Sequence, residues 1–153
     1  MPRLFSLLHA LRRRLWRLTR RETQGVKVML FDEAGALLLV RHSYGRTDLW
    51  MLPGGGIHRG EAPAIAAARE VLEELGCGVS DLAPVSVHLA RAEGRRDTVH
   101  LFGGRAAGPI VPDGIEIAEA RFFALDDLPE NASPATRRRI EEHRGLRPTG
   151  PDW

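Results

Sequence analysis

The sequence predicts one α+β domain, and three observations predict it. A β-hairpin signature runs from Val26 to Arg41, an amphipathic-helix signature from Glu61 to Leu75, and two further strand signatures precede a strand and a capped helix near the C-terminal end. A chain of 153 residues fits a single domain with a sizeable core. Apolar residues at 43% and charged residues at 27% are ordinary for a globular protein. The single cysteine, Cys77, excludes a disulfide framework within the chain and a multi-cysteine metal site. It fits a reducing compartment.

The elements follow in order. Leu4, Leu7, Leu8, Leu11, Leu15 and Leu18 recur at helical spacing, with Arg3, Arg13, Arg14, Arg17 and Arg21 mostly opposite, so an amphipathic helix with a basic face is expected. Val26–Phe31 reads as a strand, Asp32-Glu33-Ala34-Gly35 as a turn, and Ala36–Arg41 as the return strand. Leu37-Leu38-Leu39-Val40 is apolar on both faces, which predicts a central strand. His42–Asp48 reads as a loop. Gly54-Gly55-Gly56 marks a backbone that side chains would obstruct. The helix Glu61–Leu75 carries Pro63 in its first turn and Gly76 where helices stop. Strands are expected at Val85–Arg91, Thr98–Arg105 and Ala118–Ala124, and Ser133-Pro134 opens a last helix to His143. The Pro- and Gly-containing stretch Arg147–Trp153 reads as irregular. The expected division is therefore a basic helical arm at 1–21, a domain at 22–146 and a tail at 147–153.

Charge is distributed unevenly. The first 21 residues hold seven arginines and no acid, while the whole chain carries +2, which leaves about −5 for the remainder. No stretch is long enough to span a bilayer. Leu4–Leu11 is short, is closed by Arg12-Arg13-Arg14 and lacks a cleavage pattern, so a cytoplasmic location is expected; an acid-free, Arg-rich start also resembles a mitochondrial presequence. The leucine face of the arm could pack on the domain or on a second subunit in a homodimer. It could also make weak contact with an anionic membrane surface. Aromatic interleaving is absent, so no specific nucleic-acid partner is expected.

The chemistry concentrates in the central helix. At about 100° per residue, Ile65, Ala68, Val71, Leu72 and Leu75 share one side, the side expected to pack on a sheet. Glu70, Glu73 and Glu74 share the opposite side as helical neighbours. Like charges at that spacing oppose helix formation, and a hard cation that neutralises them supplies a reason for their presence. A plain solvated acidic face is the structural alternative.

The spacing is more specific than the cluster. Gly55, five residues, Glu61, seven residues, Arg69-Glu70-Val71, Leu72, Glu73-Glu74, Leu75, Gly76 and Cys77 spell G-x5-E-x7-R-E-U-x-E-E-x-G-U, with Cys77 the one soft departure. The chain thereby resembles the Nudix hydrolase family from about Gln24 to Pro129, including Trp50-Met51-Leu52-Pro53-Gly54 before the box and Phe122–Pro129 after it. The resemblance implies an α/β/α sandwich with a mixed β-sheet. It implies Mg2+, with Mn2+ as a substitute, held by Glu70, Glu73 and Glu74 with help from the Gly54 carbonyl. It implies that a glutamate, or a group on the metal, deprotonates the attacking water, with Arg69 and Glu61 as organisers and Gly55 and Gly76 as structural positions. Many family members add a glutamate from outside the box; Glu116 is the candidate, with Glu119 second.

Substrate contacts are expected from Arg41, Arg59 and His58, and Arg46 lies near them. His88 and His100 lack paired ligand spacing and read as structural, and Cys77 is expected to be buried. Asn131 could read a base edge but more naturally serves a cap or turn. The expected function is metal-dependent cleavage of a phosphoanhydride bond in a nucleoside diphosphate linked to another moiety. Between Gly78 and Arg96 there is no tyrosine, no proline beyond Pro84 and no proline–tryptophan array, which disfavours the ADP-ribose, NADH and diadenosine-polyphosphate subfamilies. A nucleoside triphosphate or modified nucleotide is the default small-molecule partner. The alternative is a non-catalytic Nudix-fold module that binds a ligand or regulates at a membrane.

Overall fold

The computed structural model describes residues 22–92 and 95–153; the basic arm expected at 1–21 lies outside them. The elements are β1 (Glu22–Phe31), β2 (Leu37–His42), α1 (Pro63–Leu75), β3 (Gly78–Ala92), β4 (Arg95–Ala107), β5 (Ile117–Phe123) and α2 (Pro134–His143). They form a five-stranded sheet in the order β3-β4-β1-β2-β5. β1 and β4 run parallel and the other neighbours antiparallel, so the sheet is mixed.

Alternation along the strands feeds two cores. Val26, Val28, Leu30, Leu38 and Val40 meet Val71 and Leu75 of α1 on one face. Met29, Leu37, Leu39, Trp50, Leu52 and Leu101 meet Ile140 of α2 on the other. This is the α/β/α sandwich that the resemblance implies. Leu37, Leu38, Leu39 and Val40 are all fully buried, as a strand covered on both faces requires. Among the described residues, no helix is long and apolar enough to cross a membrane.

Local signals act where the sequence places them. The Asp32 carboxylate accepts from the Ala36 N–H, and Gly35 takes φ +81° in the first turn. Pro63 sits in the first turn of α1, and Gly76 ends the helix in the left-handed region with its N–H on the Leu72 carbonyl. Ser133 caps α2 by accepting from the Thr136 N–H.

Two expectations need correction. β3 and β4 are far longer than Val85–Arg91 and Thr98–Arg105. Their added residues include Asp81 and Pro84 in β3 and Arg96 and Asp97 in β4, which break an apolar alternation, and register shifts at Ser80/Ala83 and Pro84/Ser86 absorb the irregular part of β3. The second correction concerns the faces of α1. Ile65 and Leu72 are 63% and 59% exposed, and Ala68 is also exposed. The helix instead buries Ala66, Ala67, Glu70, Val71, Glu74 and Leu75. The two alanines let the backbone approach the sheet closely, and the carboxylates carried beneath the helix are hydrogen-bonded there, which makes their burial tolerable.

The stretch 150–153 has no regular structure of its own yet is docked. Leu89 N–H donates to the Pro151 carbonyl and Trp153 N–H to the Leu89 carbonyl, extending the edge of β3. The buried Arg139 of α2 reaches the Asp152 carbonyl and lies over the Trp153 ring.

Candidate active site

The site is built on a gap in the sheet. β1 and β2 pair only at Phe31 and Leu37, then diverge. The segment Met51–Ile57 fills the opening. Val28 N–H donates to the Pro53 carbonyl, Val26 N–H to the Gly55 carbonyl, and Ile57 N–H to the Gln24 carbonyl, while Met51 exchanges bonds with Val40. A Cβ on Gly54, whose φ is +140°, would lie 2.1 Å from the Val26 carbonyl oxygen. A Cβ on Gly55 would lie 2.5 Å from the Glu70 carboxylate. The glycines therefore serve close approach, of backbone to backbone at Gly54 and of backbone to carboxylate at Gly55.

α1 delivers the acids to this glycine floor. Glu70 and Glu74 are 1% and 2% exposed, whereas the Glu73 side chain is 37% exposed. Glu74 Oε2 accepts from the Gly54 N–H at 3.0 Å. Burial pushes the Glu74 carboxyl up to about 8; the Lys27 ammonium and the Gly54 N–H oppose the shift, while Glu70 and Glu116 add to it.

Arg69 organises the cluster. Its Nε and Nη2 donate to the two oxygens of Glu61 at 2.7 and 2.9 Å. Nη1 donates to Glu70 at 2.7 Å and to Glu73 at 3.4 Å, and Nη2 also to the Gly56 carbonyl at 2.9 Å. Glu61 accepts in addition from the His58 N–H at 2.9 Å. The Arg69 hydrogen bonds hold the Glu61 carboxyl down to about 2 and hold the Arg69 guanidinium firmly in its charged form.

A pH dependence follows. The folded-state pKa of Glu61 is depressed from an ordinary 4.5, so its stabilisation is complete above about 4.5 and is lost as pH falls toward about 2. Glu61→Gln is expected to lower stability at neutral pH and to flatten that acid slope. Denaturant melts of both proteins between pH 2 and 7 check it; parallel profiles would remove Glu61 from the role.

The remaining expected residues divide. Glu116 is buried, and its charge bears on Glu74. Glu119 instead accepts from Arg41 Nε at 3.1 Å and from Arg121 at 2.8 Å. Arg41 thus stands in an ion pair beside Trp50, opposite the face that carries α1, and not beside the glutamates. The strand alternation that buries Val40 beneath α1 turns Arg41 the other way. His58 and Arg59 line a groove of about 940 Å³ next to Gly54–Gly56, together with Tyr44 and Arg46. Asn131 donates to the Asp48 carbonyl and ties a turn. His88 is buried between Ser86 and the Gly150 carbonyl. His100 contacts Gln24, and burial raises the Cys77 thiol pKa.

Sequence reasoning missed Lys27. Its Nζ donates to the Leu52 carbonyl at 2.9 Å and its charge moderates Glu74. A lone lysine in an apolar strand was the available signal.

Among the described residues, no three acidic or imidazole groups already converge as a metal cage. Glu70 and Glu73 turn to Arg69, and Glu74 turns to Gly54. The donor chemistry nevertheless fits a hard divalent cation: oxygen ligands on α1, two of them buried, beside a third buried carboxylate on another segment.

A loop–helix–loop of carboxylates on a mixed-sheet sandwich defines a class of protein. The model of the NUDIX domain matches residues 21–143, and the chain belongs to the Nudix family of hydrolases. It is 34% identical over 121 residues to a Bacillus subtilis protein named as a candidate 8-oxo-dGTP diphosphatase, covering 78% of each chain. It is 37% identical over 121 residues to an isopentenyl-diphosphate Delta-isomerase of Streptomyces griseus, covering 71% of this chain and 60% of that one. A MutT Nudix hydrolase from Burkholderia pseudomallei superposes with a TM-score of 0.72 at 25% identity, covering 80% of this chain and 98% of that one.

Proposed function

We propose that this protein is a divalent-metal-dependent pyrophosphohydrolase. It cleaves a phosphoanhydride bond in a nucleoside diphosphate linked to another group, with nucleoside triphosphates, oxidised ones included, as the leading substrates. The observation that carries this reading is the buried Glu70–Glu74 pair under the glycine floor, joined by Glu116 from outside the box. Identity to the Bacillus relative over 78% of both chains supports the oxidised-nucleotide class.

When bound, Mg2+ or Mn2+ supplies Lewis-acid polarisation of the phosphoryl oxygens and a lower pKa for water. Glu70, Glu73, Glu74 and Glu116 would hold it. Arg69 fixes the directions of Glu70 and Glu73, and Gly54 N–H fixes that of Glu74. A carboxylate of this set takes the proton of the attacking water. His58, Arg59 and Arg46, at the rim of the adjoining groove, are placed to meet phosphate oxygens, and Tyr44 offers a ring for a base.

The test is release of phosphate and pyrophosphate from a panel of nucleoside triphosphates, 8-oxo-dGTP and nucleotide sugars, with Mg2+ or Mn2+. Isopentenyl diphosphate belongs in the panel, because identity to the isomerase over 60% of its length favours that second reading. Pyrophosphate or nucleoside-monophosphate product from a nucleotide is expected. Nucleotide binding without turnover would favour a non-catalytic module, and isomerised product would favour the second reading.

A further inference from the structure

The loop between β4 and β5 is fastened to α1 at the site itself. Val111 N–H donates to the Leu75 carbonyl at 2.8 Å, and Asp113 N–H donates to the carbonyl of Glu74 at 3.0 Å. One carboxylate oxygen of Asp113 then accepts three successive backbone N–H groups, from Ile115, Glu116 and Ile117, at 2.9, 3.0 and 2.9 Å. The chain reverses here at Gly114, with φ +68°. A single acceptor that gathers three adjacent amides fixes the backbone of the middle residue, Glu116, in one orientation.

The carbonyl side of Glu116 is fixed as well. Ser43 N–H donates to the Glu116 carbonyl at 2.9 Å. The Ser43 hydroxyl donates to the Ile115 carbonyl, with the Glu116 carbonyl at 3.3 Å as a second acceptor. A register shift at Arg41/His42, where β2 leaves β5, brings Ser43 opposite Glu116. Ser43 belongs to the loop whose next residues, Tyr44–Arg46, line the groove.

We propose that Asp113 and Ser43 are positioning residues: by fixing the backbone on both sides of Glu116 they hold its carboxylate beside Glu74, inside the divalent-metal site. Asp113 joins that segment to α1 at Glu74, and Ser43 joins it to the groove. The inference rests on the reading of Glu116 as a metal ligand. It assigns work to a serine and an aspartate that lie outside the Nudix box and outside the lining of the groove.

The experiment measures Mn2+ binding to the nucleotide-free full chain, by the electron paramagnetic resonance of free Mn2+, alongside metal-free melting curves. Glu116→Gln tests the underlying reading. Asp113→Ala is expected to raise the Mn2+ Kd by about ten-fold, the scale for groups that orient metal ligands. Asp113→Asn keeps an acceptor oxygen and should restore most of the affinity. Ser43→Ala, which retains its backbone bond, should have a smaller effect. In the Glu116→Gln background, Asp113→Ala should add nothing, because its effect runs through Glu116. Wild-type affinity in Glu116→Gln would overturn the ligand reading and the inference with it. A weakened Glu116→Gln beside an unaffected Asp113→Ala, or an Asp113→Ala effect that persists without Glu116, would overturn the inference alone. Should Asp113→Ala fail to fold, the same cycle run with Ser43→Ala decides by the same criteria.

Discussion

Glu74→Gln is expected to lower turnover by about 100-fold or more, the scale of losing charge stabilisation in a transition state. The metal-free protein should at the same time become more stable in alkali. Glu74 is 2% exposed, and burial lifts its carboxyl from an ordinary 4.5 to about 8, with Lys27 and the Gly54 N–H only partly offsetting. A pKa raised on folding means that the folded protein favours the protonated acid. That contribution is complete below about 4.5 and is lost as pH rises through about 8. Glutamine stays neutral and escapes the loss, while its carbonyl oxygen can still accept from Gly54. Melts in chelator should therefore coincide for the two proteins near pH 4 and favour the variant above pH 8. Ionisation of Glu74 is coupled to divalent-metal binding, so the affinity of the wild-type protein should rise over the same interval. Glu73, 37% exposed, makes the contrast: Glu73→Gln should shift metal-free stability by only a few tenths of a kcal/mol, the scale of a helix charge pair. Full turnover in Glu74→Gln would remove it from the catalytic set. Instability of Glu74→Gln at every pH would mark a structural role.

The site was legible in the sequence where backbone chemistry and spacing coincide. Gly54-Gly55-Gly56 announces a close approach, and Gly76 and Pro63 bound the helix that Arg69, Glu70, Glu73 and Glu74 share. The direction that helix faces was not legible. Periodicity ranks Ile65 and Leu72 as core and the glutamates as surface, because it scores each side chain against water alone. In the fold the partners of Glu70 and Glu74 are Arg69 and a backbone N–H twenty residues upstream, and these reverse the ranking. The placement of Arg41 was hidden for a different reason. Proximity along the chain to the box suggested phosphate contact, but strand alternation carries its side chain to the opposite face and to Glu119. The clamp around Glu116 was invisible for a third reason. Ser43 acts on main-chain groups 72 and 73 residues away, which no local pattern encodes. The Asp113 bonds are local, to amides two, three and four residues on, and read from the sequence as an ordinary turn. Glu116 itself could be nominated only because the resemblance says that such a residue exists.

Arg69→Lys should do damage out of proportion to a swap of one cation for another. A guanidinium has five N–H donors in a rigid plane. In this site five bonds leave it: two to Glu61, one each to Glu70 and Glu73, and one to the Gly56 carbonyl. An ammonium offers three donors from a single point and cannot grip both oxygens of Glu61 while reaching Glu70 and the glycine floor. The fork is mostly sheltered, with the side chains of Arg69, Glu61 and Glu70 at 20%, 12% and 1% exposure, so water does not replace the lost bonds in full. A stability loss of about 2 kcal/mol or more is expected, from the cost of hydrogen bonds to charged groups left unmade. For a chain of this size that is a fall in Tm of roughly 5 °C or more. Turnover should fall by about 100-fold even well below the new Tm, because Glu70 and Glu73 lose the group that aims them. Two measurements separate the effects. Urea melts give the stability term, and kcat at a temperature where both proteins are fully folded gives the positioning term. A lysine variant that melts within a degree of the wild type and turns over at a comparable rate would mean that charge alone suffices at this position, and that the fork is not what organises the glutamates.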